Sequence, residues 1–547
     1  MPSIPVTPPR SRVPGDVACA LVASLWVLAF APRAEVLAVA PGVVGMLALL
    51  ERARTTRRAV LYVLLFGALA IGFGYRWLAD TVRVFGELDV RVGGAAGFVS
   101  WLVLAAYGMW STVHLVVFAV LYRRMLGADR RPHPLATAAL FVACEVLPVR
   151  FLAWQAGYGA VESAPLRQLA EWGGVPLVSF ALLCFAVPLH EGLRWVVARD
   201  DGPRPRAGAS LVALAVGLVL FGAGWVRLAV VSDEDRAATE TVRVGLVQAN
   251  VGSTAKRAAE RGDRGAEGRA AYERGTRAAV AAGAELIVWP ETALVEGARV
   301  WDATQRRLLP KAVVDAHLAR LGYGFLAELG ADRTLLLGGY ADEERDGAPV
   351  RFNVALLREP GGTSWGVYRK VKLMPFGERI PGQDAMPALR GLLPQSVPMS
   401  AGERDQPPLR WRARDLTVCA FVCYESIVPS LVASLAGDRR PDLLVNLTND
   451  SWYGDTWEPH QHLAFSRFRA VEHRAPMLRA TNTGISAIVS STGEVTERLG
   501  WGREGVVVGD VPRVRRARTL YASTASMQPW GWWAAAILLV AWRRRRV

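Results

Sequence analysis

Three short runs in this 547-residue chain end in groups that could carry acyl chemistry. Val418 to Val422 runs into Cys423, followed by Tyr424 and Glu425. Leu286 to Pro290 runs into Glu291. Tyr368 to Leu373 carries Lys370. A thiol, a carboxylate and an ammonium are the nucleophile, the base and the oxyanion-stabilising cation of covalent acyl transfer. A cysteine of pKa ~8.5 is mostly protonated at neutral pH. It therefore needs a base or a nearby positive charge before it attacks. Each run also has a plain structural reading. Cys423 could be a buried structural thiol. Glu291 could be a turn residue after a strand. Lys370, or its neighbour Lys372, could line the polar face of an edge strand. The signal is that all three occur together.

The segment holding these residues is flanked by apolar stretches. Residues 17–31, 36–50, 59–78, 95–122, 134–148, 173–197, 209–231 and 527–542 make eight. Several approach the ~20 residues that a bilayer helix needs. The cluster of Trp530, Trp532 and Trp533 fits an interfacial aromatic belt. The chain is 52% hydrophobic with a net charge of +15, and its arginines gather in alternate connections. These are Arg10 and Arg12, the run Arg52 to Arg58, Arg123 to Arg131, Arg199 to Arg206, and Arg543 to Arg546. Eight spans with both termini cytoplasmic reproduce that alternation under the positive-inside rule. The expected division is 1–231 for spans one to seven, 232–526 for an extracytoplasmic catalytic domain, and 527–547 for span eight and a basic tail. The arginines flank apolar runs rather than polar helices, which speaks against a nucleic-acid partner. A small-residue site at Ala29 to Ala31 could mimic a cleavable leader, but Pro32 and the later spans argue for retention.

Segment 232–526 reads as layered α/β. Strands are expected at Val242–Gln248, Glu285–Trp289, Arg333–Tyr340, Asn353–Arg358, Gly366–Leu373, Leu416–Val422, Leu443–Leu447, Gly484–Ser490 and Gly505–Val511. Helices are expected up to Ala284 and over Ala464–Glu472. Residues 381–410, rich in Pro and Gly, read as a long loop of the kind that forms lids. Cys419 and Cys423, four apart on one strand, would face one side about 13 Å apart, too far for a disulfide. His460 and His462 suggest a metal pair, yet no carboxylate or Cys at ligand spacing accompanies them, so a structural role is expected and no metal or cofactor. Gly362-Thr363-Ser364-Trp365-Gly366 imitates a nucleophile elbow, but a turn precedes it and a strand follows, which is the wrong context.

The ordered set Trp289-Pro290-Glu291-Thr292, Lys370 before Pro375-Phe376-Gly377-Glu378, and Cys423-Tyr424-Glu425 resembles the Glu-Lys-Cys triad of the nitrilase (carbon–nitrogen hydrolase) superfamily. With eight flanking spans, the chain is most similar to its membrane-embedded apolipoprotein N-acyltransferase family. Trp154 to Tyr158, Asn449 to Asp455 and Pro459 to His462 extend the likeness along nearly the whole chain. The resemblance implies an α-β-β-α sandwich of two sheets between helices beside an eight-helix membrane bundle in a bacterial inner membrane. It implies transfer of a phospholipid acyl chain, through a Cys423 thioester, to the α-amine of an S-diacylglyceryl cysteine at a lipoprotein N-terminus. Glu291 would be the base. Lys370 would be the cation, chosen over Lys372, on the same face by parity, through its spacing to Glu378. Glu378 would orient Lys370 or the amine. Tyr424, Glu425 and Trp452 would frame the pocket, and Trp154 would lie on a membrane-side loop near the acyl entrance. The family's aromatic after a lysine is replaced here by Arg257 after Lys256. A membrane-tethered amidase and an inactive nitrilase-like scaffold are the competing readings.

Overall fold

The computed structural model describes the chain apart from residues 1–12, 33–35, 86–94, 127–132, 148–151, 153, 199–206, 253–264, 303–306, 346–347, 364, 381, 387, 389–398, 439 and 545–547. Lys256, Arg257, Ser364 and much of the 381–410 loop therefore lie outside the described residues. The strands are β1 (Thr241–Gln248), β2 (Leu286–Val288), β3 (Leu294–Ala298), β4 (Trp301–Asp302), β5 (Arg307–Leu308), β6 (Thr334–Arg345), β7 (Ala348–Arg358), β8 (Gly366–Arg369), β9 (Leu409–Trp411), β10 (Leu416–Val422), β11 (Leu443–Thr448), β12 (Met477–Thr481), β13 (Ser486–Val489), β14 (Val495–Leu499) and β15 (Gly505–Pro512).

Two sheets carry the fold. One is ordered β15-β1-β2-β6-β7-β8, with β3 beside β6, and the other β14-β13-β12-β11-β10-β9. Each has a parallel centre, β1-β2-β6 in the first and β10-β11-β12 in the second, with antiparallel strands at its margins. Strand periodicity builds the layers. Val244 and Leu246 of β1, Leu286 and Val288 of β2 and Leu336 of β6 share a core with the second sheet. Val247, Ile287, Leu335 and Leu337 point the other way, into a separate core with Tyr272 and Ala279 of helix Gly265–Ala281. Helix Glu458–His473 covers the second sheet, and its Phe465 and Phe468 meet Tyr158 at 4.3 and 5.4 Å. The result is two sheets between helices.

Among the described residues, three helices are long and apolar enough to cross a membrane: Thr56–Gly74, Ala170–Val196 and Ala207–Arg236. The pair Ser100–Ser111 and Val113–Met125, bent by 42°, makes a fourth if it is one span. Gly15–Ala29 and Pro134–Glu145 are shorter apolar helices. Within Ala170–Ala198 the backbone breaks at Gly173 and Gly174, the latter at φ 62°.

Several local expectations change. The strand expected over Gly366–Leu373 stops at Arg369, because the Val371 and Lys372 amides turn away to donate to Glu425. Helix Glu458–His473 starts six residues before Ala464, with Pro459 in its first turn, where a missing N–H costs nothing. Strand β12, Met477–Thr481, has no counterpart among the expected strands, since Arg479 interrupts its apolar run.

Candidate active site

Glu291 and Cys423 follow the parallel strands β2 and β10, where open α/β sheets place their sites, and Lys370 follows the antiparallel edge strand β8. β10 ends at Val422, and Cys423 opens a 3-10 turn, Cys423–Ile427, with a left-handed φ of 54°. A non-glycine residue held there is strained and presents its side chain off the strand line. Cys423 thus leaves the strand, so it does not share a face with Cys419, and both thiols are free. β2 ends at Val288. Trp289 then anchors the chain by stacking on Tyr272 at 4.6 Å and donating to Thr276 Oγ1 at 3.0 Å. Pro290 and Glu291 follow in a turn pressed onto β6. A Cβ on Gly338 would stand 2.2 Å from the Pro290 oxygen, so only glycine admits this approach.

Lys370 lies between two acids. Its Nζ is 3.1 Å from Glu291 Oε1 and 2.8 Å from Glu378 Oε2, and the residue is 1% exposed. Asn353 on β7 donates from one Nδ2 to both carboxylates, at 2.7 Å to Glu291 and 2.8 Å to Glu378. The Met374 amide adds a 2.8 Å bond to Glu378. Burial opposes the ammonium charge, but Glu291 and Glu378, then the Cys423 sulfur, hold its pKa well above the usual lysine value. Burial, and next the Glu291 charge, push the Cys423 thiol well above the usual cysteine value, against the pull of Lys370. Burial thus favours the thiol form of the sulfur, beside Glu291 and the Lys370 ammonium. Lys372 is exposed, so parity fails because the strand has ended.

Glu425 does not frame a cavity. It is fully buried. One carboxylate oxygen accepts the Val371 and Lys372 amides at 2.8 and 2.9 Å; the other accepts Tyr368 Oη at 2.8 Å and the Val422 amide at 2.7 Å. It ties the end of β8, which carries Lys370, to the end of β10, which carries Cys423. Tyr424 is 4% exposed and feels the Lys370 charge, while Trp452 is half-buried against the main core. Trp154 is fully buried, edge-on to Trp26 at 5.8 Å and to His114 at 4.9 Å.

A second buried cluster adjoins the first. His462 Nδ1 is 3.3 Å from Asp450 Oδ1 and 3.4 Å from Glu458 Oε1, and its Nε2 is 2.8 Å from Ser426 Oγ. Arg479 bonds the other Asp450 oxygen at 2.9 Å. The lack of a carboxylate partner expected for His462 is thus corrected, because the fold supplies two. Asp450, Glu458 and His462 place donors within 4.8 Å of one another, as a metal site would. Arg479 already pairs with Asp450, and His462 bonds both acids. Burial and the Asp450 charge raise Glu458 to about 7. The sequence does not single out Asn353 or Arg479. The one signal for either is a lone polar residue inside an apolar strand run.

A sandwich of two sheets with glutamate, lysine and cysteine just past strand ends defines the carbon-nitrogen hydrolase class, and that family matches residues 243–520. The apolipoprotein N-acyltransferase N-terminal domain matches residues 22–188. An apolipoprotein N-acyltransferase of Geobacter metallireducens is 31% identical, covering 86% of this chain and 84% of its own. That of Azotobacter vinelandii is 31% identical over 88% and 85%, and that of Pseudomonas putida 29% over 97% and 97%. The chain belongs to the apolipoprotein N-acyltransferase family.

Proposed function

We propose that this chain is a membrane acyltransferase that moves an acyl chain from a phospholipid to the α-amine of an S-diacylglyceryl cysteine of a lipoprotein, with Glu291, Lys370 and Cys423 as its catalytic groups. The observation that carries this reading is the Lys370 ammonium wedged between Glu291 and Glu378 in the field of the Cys423 sulfur. As the sulfur attacks the ester carbonyl, its proton passes to Glu291, and the new oxyanion is met by Lys370. The carbon–oxygen bond breaks, Glu291 returns the proton to the departing lysophospholipid alkoxide, and a thioester remains. The lipoprotein amine then attacks the thioester. Glu291 takes a proton from the nitrogen, the amide forms, and the Cys423 thiolate leaves and is reprotonated. A covalent intermediate of this kind gives ping-pong kinetics.

The match of residues 22–188 to the family's membrane part favours this reading over a membrane-tethered amidase, whose thioester would be resolved by water. We place the chain in a bacterial inner membrane, with residues 232–526 outside the cytoplasm and eight spans including those formed by the shorter helices. The test is to incubate the full-length protein with phospholipid and no acceptor, then analyse Cys423 by mass spectrometry. An acyl adduct should appear in the native protein, vanish in Cys423→Ala, fall at least ~10³-fold in rate in Glu291→Gln and persist in Ser364→Ala. An adduct only on serine would reject the mechanism.

A further inference from the structure

Among the described residues, Arg76 is a cation with no anion. It follows the candidate span Thr56–Gly74 by two residues. Its guanidinium lies 4.1 Å from the centre of the Trp457 ring and 5.1 Å from that of Phe73. Its Nη1 is buried without a hydrogen-bond partner, and no carboxylate among the described residues pairs with it. Arg52, Arg58 and Arg194 meet Asp16 and Glu51 at the opposite end of these helices, and Arg227, at the catalytic-domain end, is paired with Glu171 at 2.6 Å. An arginine is out of place at the catalytic-domain end of a span unless something negative meets it there.

Its surroundings fix where that negative group would sit. Trp77 donates to Gln461 at 2.9 Å, and Gln461 donates back to the Gly74 carbonyl at 2.9 Å, so the catalytic domain clamps this helix end. The Trp77 ring is 5.0 Å from that of Tyr453. Tyr453 in turn lies close enough to Cys423 and Glu291 for their charges to act on its phenol. Arg76 is thus next in sequence to the residue that leads through Tyr453 towards the nucleophile, just past the end of a candidate span and beside a Phe73 that is 52% exposed. Stacking on Trp457 holds the guanidinium plane while Nη1 stays without a hydrogen-bond partner, and a planar guanidinium with unused donors suits a phosphate.

We infer that Arg76 binds the phosphodiester of the acyl donor while the donor's ester is at Cys423. This rests on the acyltransferase reading above and deepens it. In a ping-pong reaction two lipids must visit one sulfur in turn. The donor carries a phosphate three carbons or fewer from the reacting ester. The diacylglyceryl acceptor carries none, and brings an amine that Arg76 repels when protonated. An unpaired cation at this level therefore selects the first lipid and not the second.

The test compares thioester formation on Cys423 in the full-length native protein, Arg76→Ala and Arg76→Lys, in neutral detergent, with phosphatidylglycerol or diacylglycerol as donor. In Arg76→Ala the rate with subsaturating phosphatidylglycerol should fall on the order of tenfold, the size of one charge-assisted hydrogen bond. The diacylglycerol rate should not change, and Arg76→Lys should recover part of the loss. Retention of the native donor preference in Arg76→Ala overturns the inference and leaves the acyltransferase reading intact. So does an equal fall with both donors, which would make Arg76 a packing residue. Inhibition by millimolar inorganic phosphate that needs Arg76, with donor preference unaffected, would assign the site to free phosphate instead. A native protein that forms no thioester with either lipid overturns the acyltransferase reading, and this inference with it.

Discussion

At the scale of single residues, one amide is shared by two acids. Asn353 reaches Glu291 and Glu378 from the same nitrogen. Two carboxylates held this close repel each other, and Lys370 alone carries one positive charge between them. Removing the amide leaves both acids free to turn and leaves buried acceptors short of a donor, at about 1–3 kcal/mol. Asn353→Leu should therefore lower kcat by about 10–10²-fold, with little change in KM for either lipid, because the amide orients the base rather than the substrate. A rise in KM with normal kcat would place Asn353 in substrate binding instead. The proposed trio stands out in the sequence because Glu291 and Cys423 each end an apolar run and Lys370 lies in a strand-like one. Asn353 could not, because its partners lie 62 and 25 positions away, and nothing local distinguishes it from an ordinary polar residue in a strand.

At the scale of elements, strand ends have to be brought into register across two sheets. β8 belongs to one and β10 to the other, and Glu425 is the buried link between them. Its carboxylate meets four donors, so Glu425→Gln, which turns one oxygen into an NH2 facing N–H groups, leaves donors opposed. The expected result is a loss of about 1–3 kcal/mol in stability, with thioester formation falling further than the stability loss explains. Activity equal to the native protein at a temperature where both are folded would remove Glu425 from the positioning of Lys370. Most strands of the two sheets could be read from alternation. β12 could not, because Arg479 sits in it fully buried, its Nη1 bonded to Asn446 and its Nη2 to Asp450. The acid cluster on helix Glu458–His473 gives a pH signature. Glu458 is raised from 4.5 to about 7 and His462 is also raised, so the folded state holds protons that the unfolded chain has released. Stability from both groups is fullest at low pH and is lost as pH rises, for Glu458 between about 4.5 and 7. Asp450, lowered to about 2, acts in the opposite sense and loses its contribution as pH falls below 3.8. Melting curves in detergent should show that Glu458→Gln, relative to the native protein, gains on the order of 1–3 kcal/mol between pH 4.5 and 7. A constant difference across that window would mean that Glu458 does not hold a proton there.

At the scale of the whole molecule, the helices are fastened at both ends to different things. Helix Ala170–Ala198 begins at Glu171, which meets Arg474 of the catalytic domain at 2.8 Å, and reaches Arg194, which meets Glu51 at 3.1 Å. Helix Thr56–Phe66, continued to Gly74, begins beside Arg58, bonded to Asp16, and ends at the Gly74 carbonyl bonded to Gln461. Nineteen residues at about 1.5 Å each span about 28 Å, close to the hydrocarbon thickness of a bilayer. The catalytic domain and the cluster formed by Asp16, Glu51 and their arginines therefore lie at opposite ends of membrane-length helices. The same arginines belong to the alternation along the sequence from which we infer that both termini are cytoplasmic. Charge along the chain and fastening in three dimensions thus support one orientation by separate routes. Reporter fusions check it directly. Reporters joined after Arg58 and after Arg131 should be active only in the cytoplasm, and one joined near residue 390 only outside it. A reporter at residue 390 that stays cytoplasmic would put Cys423 on the side of the membrane where these helices carry their arginines, and would break the link between the basic connections and the orientation of the catalytic domain.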